Sequence, residues 1–228
     1  MKHLVLVFSN PVKGQEDEYD RWYEDVHLGE MLATTGWQGA QRFALADEMW
    51  NTCPHGYLAV YEAEADDPKS VLPHLNATRA KRQQNAAFDK KTAAVWVFSE
   101  IGPEHKNPAF ANVKMEKPGT KRLVAVFSNP TEGQEAEYNR WYEDVHLNEV
   151  LATAGWRTAR RFALTDDMWN ACPLKYLALY EAVTDDPKAV LAKLNATRAK
   201  RQQSEAIDIK TAAVWVFSEI GHRRQGAA

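Results

Sequence analysis

Two histidines, His27 and His146, are the residues of this sequence best suited to move a proton. Each follows a tyrosine by four positions, Tyr23 and Tyr142, where apolar residues recur with helical spacing. That spacing puts phenol and imidazole one turn apart at the margin of an apolar stripe. A half-buried imidazole beside a phenol can act as a general acid or base near neutral pH. The alternative is a histidine that only packs at the helix edge.

Aromatic and arginine side chains provide the material for a substrate pocket around these histidines. The chain contains eight Trp, eight Tyr and eight Phe, and large rings mark either a packed core or an apolar ligand pocket. A tryptophan in a loop could close over a ligand, and a strand arginine could hold a carboxylate or enolate oxygen. Core packing and surface ion pairs are the competing interpretations. The predicted substrate-binding residues are Tyr23, Tyr142, Trp22, Trp141, Arg42, Arg161, Trp50, Trp169, Tyr61 and Tyr180.

Other chemistry has little support in the sequence. Cys53 and Cys172 lack an activating motif, so we expect them to pack rather than react. No two-histidine metal spacing and no phosphate-binding glycine loop occurs, which predicts no metal and no cofactor. The basic clusters at 79–82 and 198–201 are typical of a solvated helix face, and with a net charge of −3 they do not favour nucleic acid.

No part of the sequence suggests a membrane or an export signal. The longest apolar runs fall far short of the roughly 20 residues that a membrane-spanning helix needs. The first residues lack the pattern of a signal peptide, and two cysteines cannot form a disulfide framework. These features predict a cytoplasmic protein.

The chain consists of two copies of one sequence repeat. Residues 2–102 align without a gap with residues 121–221 at an offset of 119, and every Trp and every Tyr has a partner in the other copy. That period is too long for a solenoid, so each copy is a domain-sized half. We predict a first half at 1–102, an irregular linker at 103–119, a second half at 120–221 and a tail at 222–228.

Each half has the pattern of six elements in the order β-α-β-β-α-β. In the first half we predict strands at 2–9, 37–45, 57–63 and 92–100, and helices at 15–34 and 67–84, with a loop at 47–56. Pro73 should kink or delay the second helix. This order is that of the ferredoxin-like unit, whose second sheet face needs a cover. The fold class is therefore α+β, with two ferredoxin-like repeats that form an intramolecular dimeric α/β barrel.

The element order and certain motifs resemble the EthD-like branch of the dimeric α/β barrel superfamily. The motifs are Glu18-Tyr19-x-x-Trp22-Tyr23-x-x-x-His27-Leu28, then Gly36-Trp37 and Arg42-Phe43. Most relatives carry one unit per chain and dimerise, whereas this chain fuses two. The resemblance implies that His27 and His146 lie near a pocket between helix and sheet. The superfamily includes isomerases, cyclases, dehydratases, cofactor-free monooxygenases and haem enzymes, so fold alone does not select an activity.

The sequence therefore predicts a cofactor-independent enzyme in which His27 and His146 transfer a proton on a small apolar, aromatic or polycyclic substrate. The reaction would be that of an isomerase, a cyclase or a dehydratase-like lyase. Two alternatives stay open, a non-catalytic small-molecule binding protein and a cofactor-free or haem-type monooxygenase. Beyond the substrate we expect no nucleic acid or membrane partner, and the fused pseudo-dimer leaves room for a further homo-oligomer. Differences between the halves, such as Asp20 against Asn139, allow one pocket to be the working one.

Overall fold

The computed structural model describes residues 1–34, 36–110, 120–153 and 155–226. Residues 111–119 of the predicted linker at 103–119 therefore lie outside the described residues. Its first part forms a short strand, His105–Lys106, and a 3-10 turn, Pro108–Phe110. The predicted tail contributes another short strand, Arg224–Gln225, which pairs with the first half. None of the helices in the described ranges is long and apolar enough to cross a membrane.

Antiparallel strands from both halves close into a barrel. The strands of the described ranges are β1 Lys2–Ser9, β2 Trp37–Met49, β3 Tyr57–Glu64, β4 Ala94–Glu100, β5 His105–Lys106, β6 Lys121–Ser128, β7 Trp156–Met168, β8 Tyr176–Val183, β9 Ala213–Glu219 and β10 Arg224–Gln225. Each half supplies four of the eight barrel strands, in the order β2-β3-β1-β4-β7-β8-β6-β9, and β9 pairs back onto β2. The short strands β5 and β10 extend this sheet at β7 and β2.

Alternation along the strands separates the barrel interior from the helix-covered exterior. On β1, Leu4, Leu6 and Phe8 pack inside the barrel, whereas Val5 and Val7 pack under the helices. Side chains on a strand point to opposite faces in turn, and here both faces are apolar because both are covered. The interior core takes residues from both halves, so the two halves share one hydrophobic core.

The first helix of each half is interrupted by a π-helical segment. The predicted helix at 15–34 consists of α1 Glu16–Trp22, a π segment Tyr23–His27 and α2 Leu28–Leu32. Acidic residues in its first turn suit the positive end of the helix dipole. The second half repeats this pattern with α4 Glu135–Trp141, a π segment Tyr142–His146 and α5 Leu147–Leu151.

The second helix of each half is shorter than the predicted range of 67–84. In the first half, a 3-10 turn at Pro68–Ser70 leads into α3 Val71–Ala77, and Asp67 Oδ1 accepts a hydrogen bond of 2.9 Å from the backbone N–H of Lys69. Pro73 lies in the first turn of α3, where its missing N–H has no helical partner to lose. The equivalent α6 Lys188–Ala196 has alanine at that position and is longer.

Strand β2 runs beyond the predicted 37–45 and takes in part of the predicted loop. Its outer portion, from Phe43 to Met49, pairs with β9 of the other half. β7 extends in the same way along β4. The β2–β9 and β4–β7 pairings join the two halves and close the barrel. The strand residues beyond the predicted range are stabilised by this pairing with the other half.

Candidate functional site

Each half has a pocket between its helices and the outer face of its sheet. Each pocket encloses about 60 Å³, and one residue of its aromatic rim comes from the opposite half. The first-half pocket is defined by Trp22, Tyr23, His27, Tyr61, Arg82 and Trp169. The second-half pocket is defined by Trp141, Tyr142, His146, Tyr180, Arg201 and Trp50.

The π segment fixes how tyrosine and histidine enter the first-half pocket. The His27 ring stacks on Trp22, with ring centres 4.6 Å apart and an interplanar angle of 29°. The same ring meets Tyr23 edge-on at 5.0 Å and 81°. His146 is held in the same way by Trp141 and Tyr142 in the second half. Isolated π turns within α-helices are frequent at functional sites.

Both histidines are neutral at physiological pH. Burial, aided by the positive charge of Arg82, lowers the pKa of His27 to about 3. Burial and Arg201 lower the pKa of His146 to about 3. The Nδ1 atom of each ring is buried and has no hydrogen-bond partner in the described part of the chain. A neutral imidazole carries one donor and one acceptor nitrogen, so each ring can accept a proton or a hydrogen bond from a ligand.

Two tyrosines in each pocket keep their phenol protons. In the first half, burial raises the pKa of Tyr23 and of Tyr61, and the two hydroxyls influence each other. Neither of these hydroxyls makes a hydrogen bond of normal geometry to another described residue. Burial also raises the pKa values of Tyr142 and Tyr180 in the second half. Buried polar groups are normally satisfied, so these phenols have donor capacity to offer a ligand oxygen.

A half-buried arginine completes each pocket, and sequence reasoning missed it. Arg82 and Arg201 follow a short 3-10 turn in backbone that has become extended, and the Nη2 atom of each donates to a carbonyl of the preceding helix at 2.9 Å. The Nε atoms of both are buried and unpaired within the described ranges. Burial lowers the pKa of both, yet a guanidinium stays charged in proteins. The basic cluster was expected to be a solvated face, and only the chain reversal turns its last arginine inward.

The predicted arginines Arg42 and Arg161 do not line either pocket. Arg42 is buried beneath the first helix, with Nη2 2.6 Å from Asp20 Oδ1 and its guanidinium 4.6 Å from the centre of the Tyr23 ring. Arg161 takes the same place against Asn139 Oδ1 at 2.6 Å and the Tyr142 ring at 4.9 Å. Both therefore support the back of a pocket tyrosine, and contact with substrate by either stays a prediction.

Trp50 and Trp169, the loop tryptophans predicted to close over a ligand, each lie at the pocket of the opposite half. Trp50 borders the second-half pocket and Trp169 the first-half pocket, with exposed fractions of 41% and 42%. Both have a backbone φ of 74°, a left-handed conformation that is rare for bulky side chains. The Trp50 loop is tied to the opposite half because Asn51 Nδ2 donates to the Ala212 carbonyl at 2.7 Å and Trp215 Nε1 donates to the Asn51 carbonyl at 2.8 Å.

Other reactive groups and cofactor sites find little support. Burial raises the pKa of Cys53 and of Cys172 to about 12, which disfavours the nucleophilic thiolate. Within the described ranges, no group of three or more His, Cys, Asp or Glu side chains could hold a metal ion. A haem macrocycle does not fit a pocket of about 60 Å³ in which the candidate histidine stacks on one tryptophan and meets a tyrosine edge-on.

Comparisons with known proteins identify the architecture. No family model and no curated protein matches the chain. Among solved structures, an anthrone oxidase-like protein has a TM-score of 0.61 and 10% identity, with 100% of this chain and 94% of that chain covered. A candidate monooxygenase from Fusobacterium nucleatum has a TM-score of 0.51 and 11% identity, with 99% and 95% covered. A candidate chlorite dismutase has a TM-score of 0.52 and 13% identity, with 96% and 95% covered. These neighbours belong to the dimeric α/β barrel superfamily, and the chain shares their barrel fold. At these identities the likeness concerns the fold alone.

Proposed function

We propose that the chain is a cofactor-independent enzyme that moves a proton on a small, largely aromatic substrate bearing an acidic oxygen or an enolisable carbonyl. The observation that carries this proposal is the coincidence, in both pockets, of a neutral histidine, buried phenols and an arginine whose Nε atom has no hydrogen-bond partner in the described ranges. Each of these groups is costly to bury unpaired, and all face one cavity. An aromatic ligand with one oxygen that gains negative charge would satisfy them together.

The pocket chemistry suits enolate formation. The arginine and the phenols would hold the substrate oxygen, and the histidine would take the proton from the adjacent carbon. A histidine with a pKa of about 3 is by itself a weak base. The negative charge that develops on the held oxygen would raise that pKa, because an opposite charge nearby favours the charged imidazolium. The proton could then return to a different atom, as an isomerase, cyclase or dehydratase-like lyase requires.

Substrate entry would require movement of the aromatic rim. A drug-sized ligand occupies a pocket of about 300–1,000 Å³, whereas each pocket here encloses about 60 Å³. Trp50 and Trp169 lie at the rims and are partly exposed, so they are the side chains that we expect to move. This assignment makes each tryptophan a lid for the pocket of the other half.

The proposal includes a finer classification of the fold and of its family. We infer that each half is a ferredoxin-like unit and that the chain is a fused duplicate of the EthD-like branch, as the repeated β-α-β-β-α-β order and the tyrosine–histidine motif suggest. A cytoplasmic location and a small-molecule partner are part of this proposal.

Anthrone, a polycyclic ketone with acidic C10 protons, provides a direct test because one fold neighbour is anthrone oxidase-like. The purified chain is incubated with anthrone in D₂O without oxygen, and exchange at C10 is followed by NMR. We expect exchange above the buffer rate that falls at least about 100-fold in the double variant H27A/H146A, since a general base contributes about 10²–10⁴. Exchange that is unchanged in this variant would refute the role of the histidines.

Oxygen uptake separates the alternatives. The same incubation in air, with an oxygen electrode, should show no consumption above the spontaneous rate if proton transfer is the whole reaction. Histidine-dependent consumption would identify a cofactor-free monooxygenase instead. Tight binding of anthrone with neither exchange nor consumption would indicate a binding protein.

A further inference from the structure

The two pockets differ at the arginine that would hold the ligand oxygen. In the first half, Arg82 Nη1 lies 2.8 Å from Met31 Sδ and donates to Thr78 Oγ1 at 3.1 Å. In the second half, valine occupies the position of Met31, and Arg201 Nη1 is buried with no partner among the described residues. Arg201 therefore has two unpaired donor atoms, Nε and Nη1, whereas Arg82 has Nε alone.

Apart from Met31 and the hydrogen bond from Arg82 Nη1 to Thr78 Oγ1, the surroundings of the two arginines are closely matched. Each guanidinium donates Nη2 to the carbonyl of a leucine, Leu75 or Leu194, at 2.9 Å. An equivalent glutamate, Glu30 or Glu149, acts electrostatically on each arginine. The paired histidine and tyrosines are also the same. The exchange of Met31 for Val150 is thus a difference that acts directly on the guanidinium group of the pocket arginine.

A second difference works in the opposite direction but should be weaker. Lys90 lies at the rim of the first-half pocket, where the second half has Ile209. The lysine is exposed, and an exposed charge changes affinity by at most about fivefold. A hydrogen bond from a buried guanidinium to an anionic oxygen is worth roughly tenfold to a hundredfold. Of these two differences, the buried one should therefore have the larger effect on affinity.

We propose that the second-half pocket is the stronger site for a planar aromatic anion, and that Met31, together with Thr78, weakens the first-half pocket by occupying Arg82 Nη1. This inference rests on the proposed function, because it assigns the unpaired arginine to a ligand oxygen. Val150 leaves the corresponding donor of Arg201 open to the ligand. Met31 and Val150 are thus the residues that set the relative affinity of the two pockets.

Isothermal titration calorimetry of the full chain with 2-naphthoate tests this inference, with the uncharged 2-naphthamide as the comparison ligand. We expect two sites for 2-naphthoate whose dissociation constants differ by about tenfold. R201M should remove the tight site and leave the weak one, and R82M should do the reverse. The exchange variants M31V and V150M keep both arginines. M31V should tighten the weak site several-fold, and V150M should weaken the tight site by a similar factor, with thermal melts confirming that each variant folds.

The outcomes separate this inference from the proposed function. Two equal sites, each lost only with its own arginine, would refute the asymmetry and leave the proposed function standing. A tight site that disappears in R82M would also refute the asymmetry. If 2-naphthoate binds no tighter than 2-naphthamide in the wild type and both arginine variants, the anionic ligand chemistry fails, and the asymmetry fails with it.

Discussion

Acidification should destabilise the fold through its two pocket histidines. His27 and His146 have pKa values of about 3 in the folded chain, against about 6.5 for an unperturbed histidine. Between these values the unfolded chain binds protons that the folded chain excludes. The free energy of unfolding therefore falls as the pH drops below 6.5, and the loss continues until the folded-state pKa is reached.

The magnitude follows from the size of the shift. At pH 5, a group with an unfolded pKa near 6.5 that stays neutral when folded has lost about 2 kcal/mol of stability relative to pH 7. The two histidines together then account for about 4 kcal/mol. Each imidazole is only partly buried, so water near the pocket could reduce this sum to about 2 kcal/mol.

Urea denaturation at pH 7 and pH 5, followed by circular dichroism, measures the effect. The wild type and H27Q/H146Q are compared by the difference in unfolding free energy between the two pH values, which cancels any pH-independent cost of the substitutions. Burial also lowers the pKa of His55, to about 4, and its contribution is common to both proteins. H222Q removes an exposed imidazole and serves as the control. If the double variant loses as much stability as the wild type, to within about 1 kcal/mol, the folded chain does not keep the two imidazoles neutral at pH 5.

Three further predictions concern the lids, the buried arginines and the thiols. W50G should weaken 2-naphthoate binding at the second-half pocket and leave the first-half pocket unaffected, with W169G showing the converse by calorimetry. D20N should cost less than about 1 kcal/mol in urea denaturation because Asp20 is 44% exposed, whereas R42A should cost about 3 kcal/mol because it removes a buried side chain and leaves a cavity beneath the first helix. A similar loss in both variants would contradict this distinction. Cys53 should react with iodoacetamide at pH 8 roughly a thousandfold more slowly in the folded chain than in urea, since a pKa of about 12 leaves little thiolate; equal rates would refute it.

The sequence was informative wherever a pattern was local. The first strand occupies the predicted residues 2–9, and the repeated element order predicted a mixed α+β barrel, which the closed eight-stranded sheet confirms. The assignment to the EthD-like branch and the roles of the site residues stay predictions. Placement of Tyr23 and His27 on one helix edge followed from their spacing, because neighbouring turns of a helix meet.

Features that depend on distant contacts could not be predicted. No residue pattern distinguishes the five residues of the π segment from ordinary helix, so the interruption at Tyr23–His27 was missed. The strand portion up to Met49 forms only because β9 of the other half pairs with it. Arg82 has the same neighbours in sequence as a surface arginine, and a chain reversal after Lys81 directs it inward. The destination of the Trp50 loop likewise depends on where the second half lies.

Because the Trp50 and Trp169 loops each border the pocket of the other copy, a mutation in a loop affects the site of the opposite half. In a dimer of identical subunits, a substitution in the loop and its partner pocket would appear in both sites at once. Here each pocket combines side chains from two separately encoded copies, so Trp50 and its neighbours vary with selection on the second-half pocket, and Trp169 with selection on the first. Where the two sites differ in sequence, the loop of one copy should therefore be compared with the pocket of the other copy. A single copy on its own would therefore lack the tryptophan that borders its pocket.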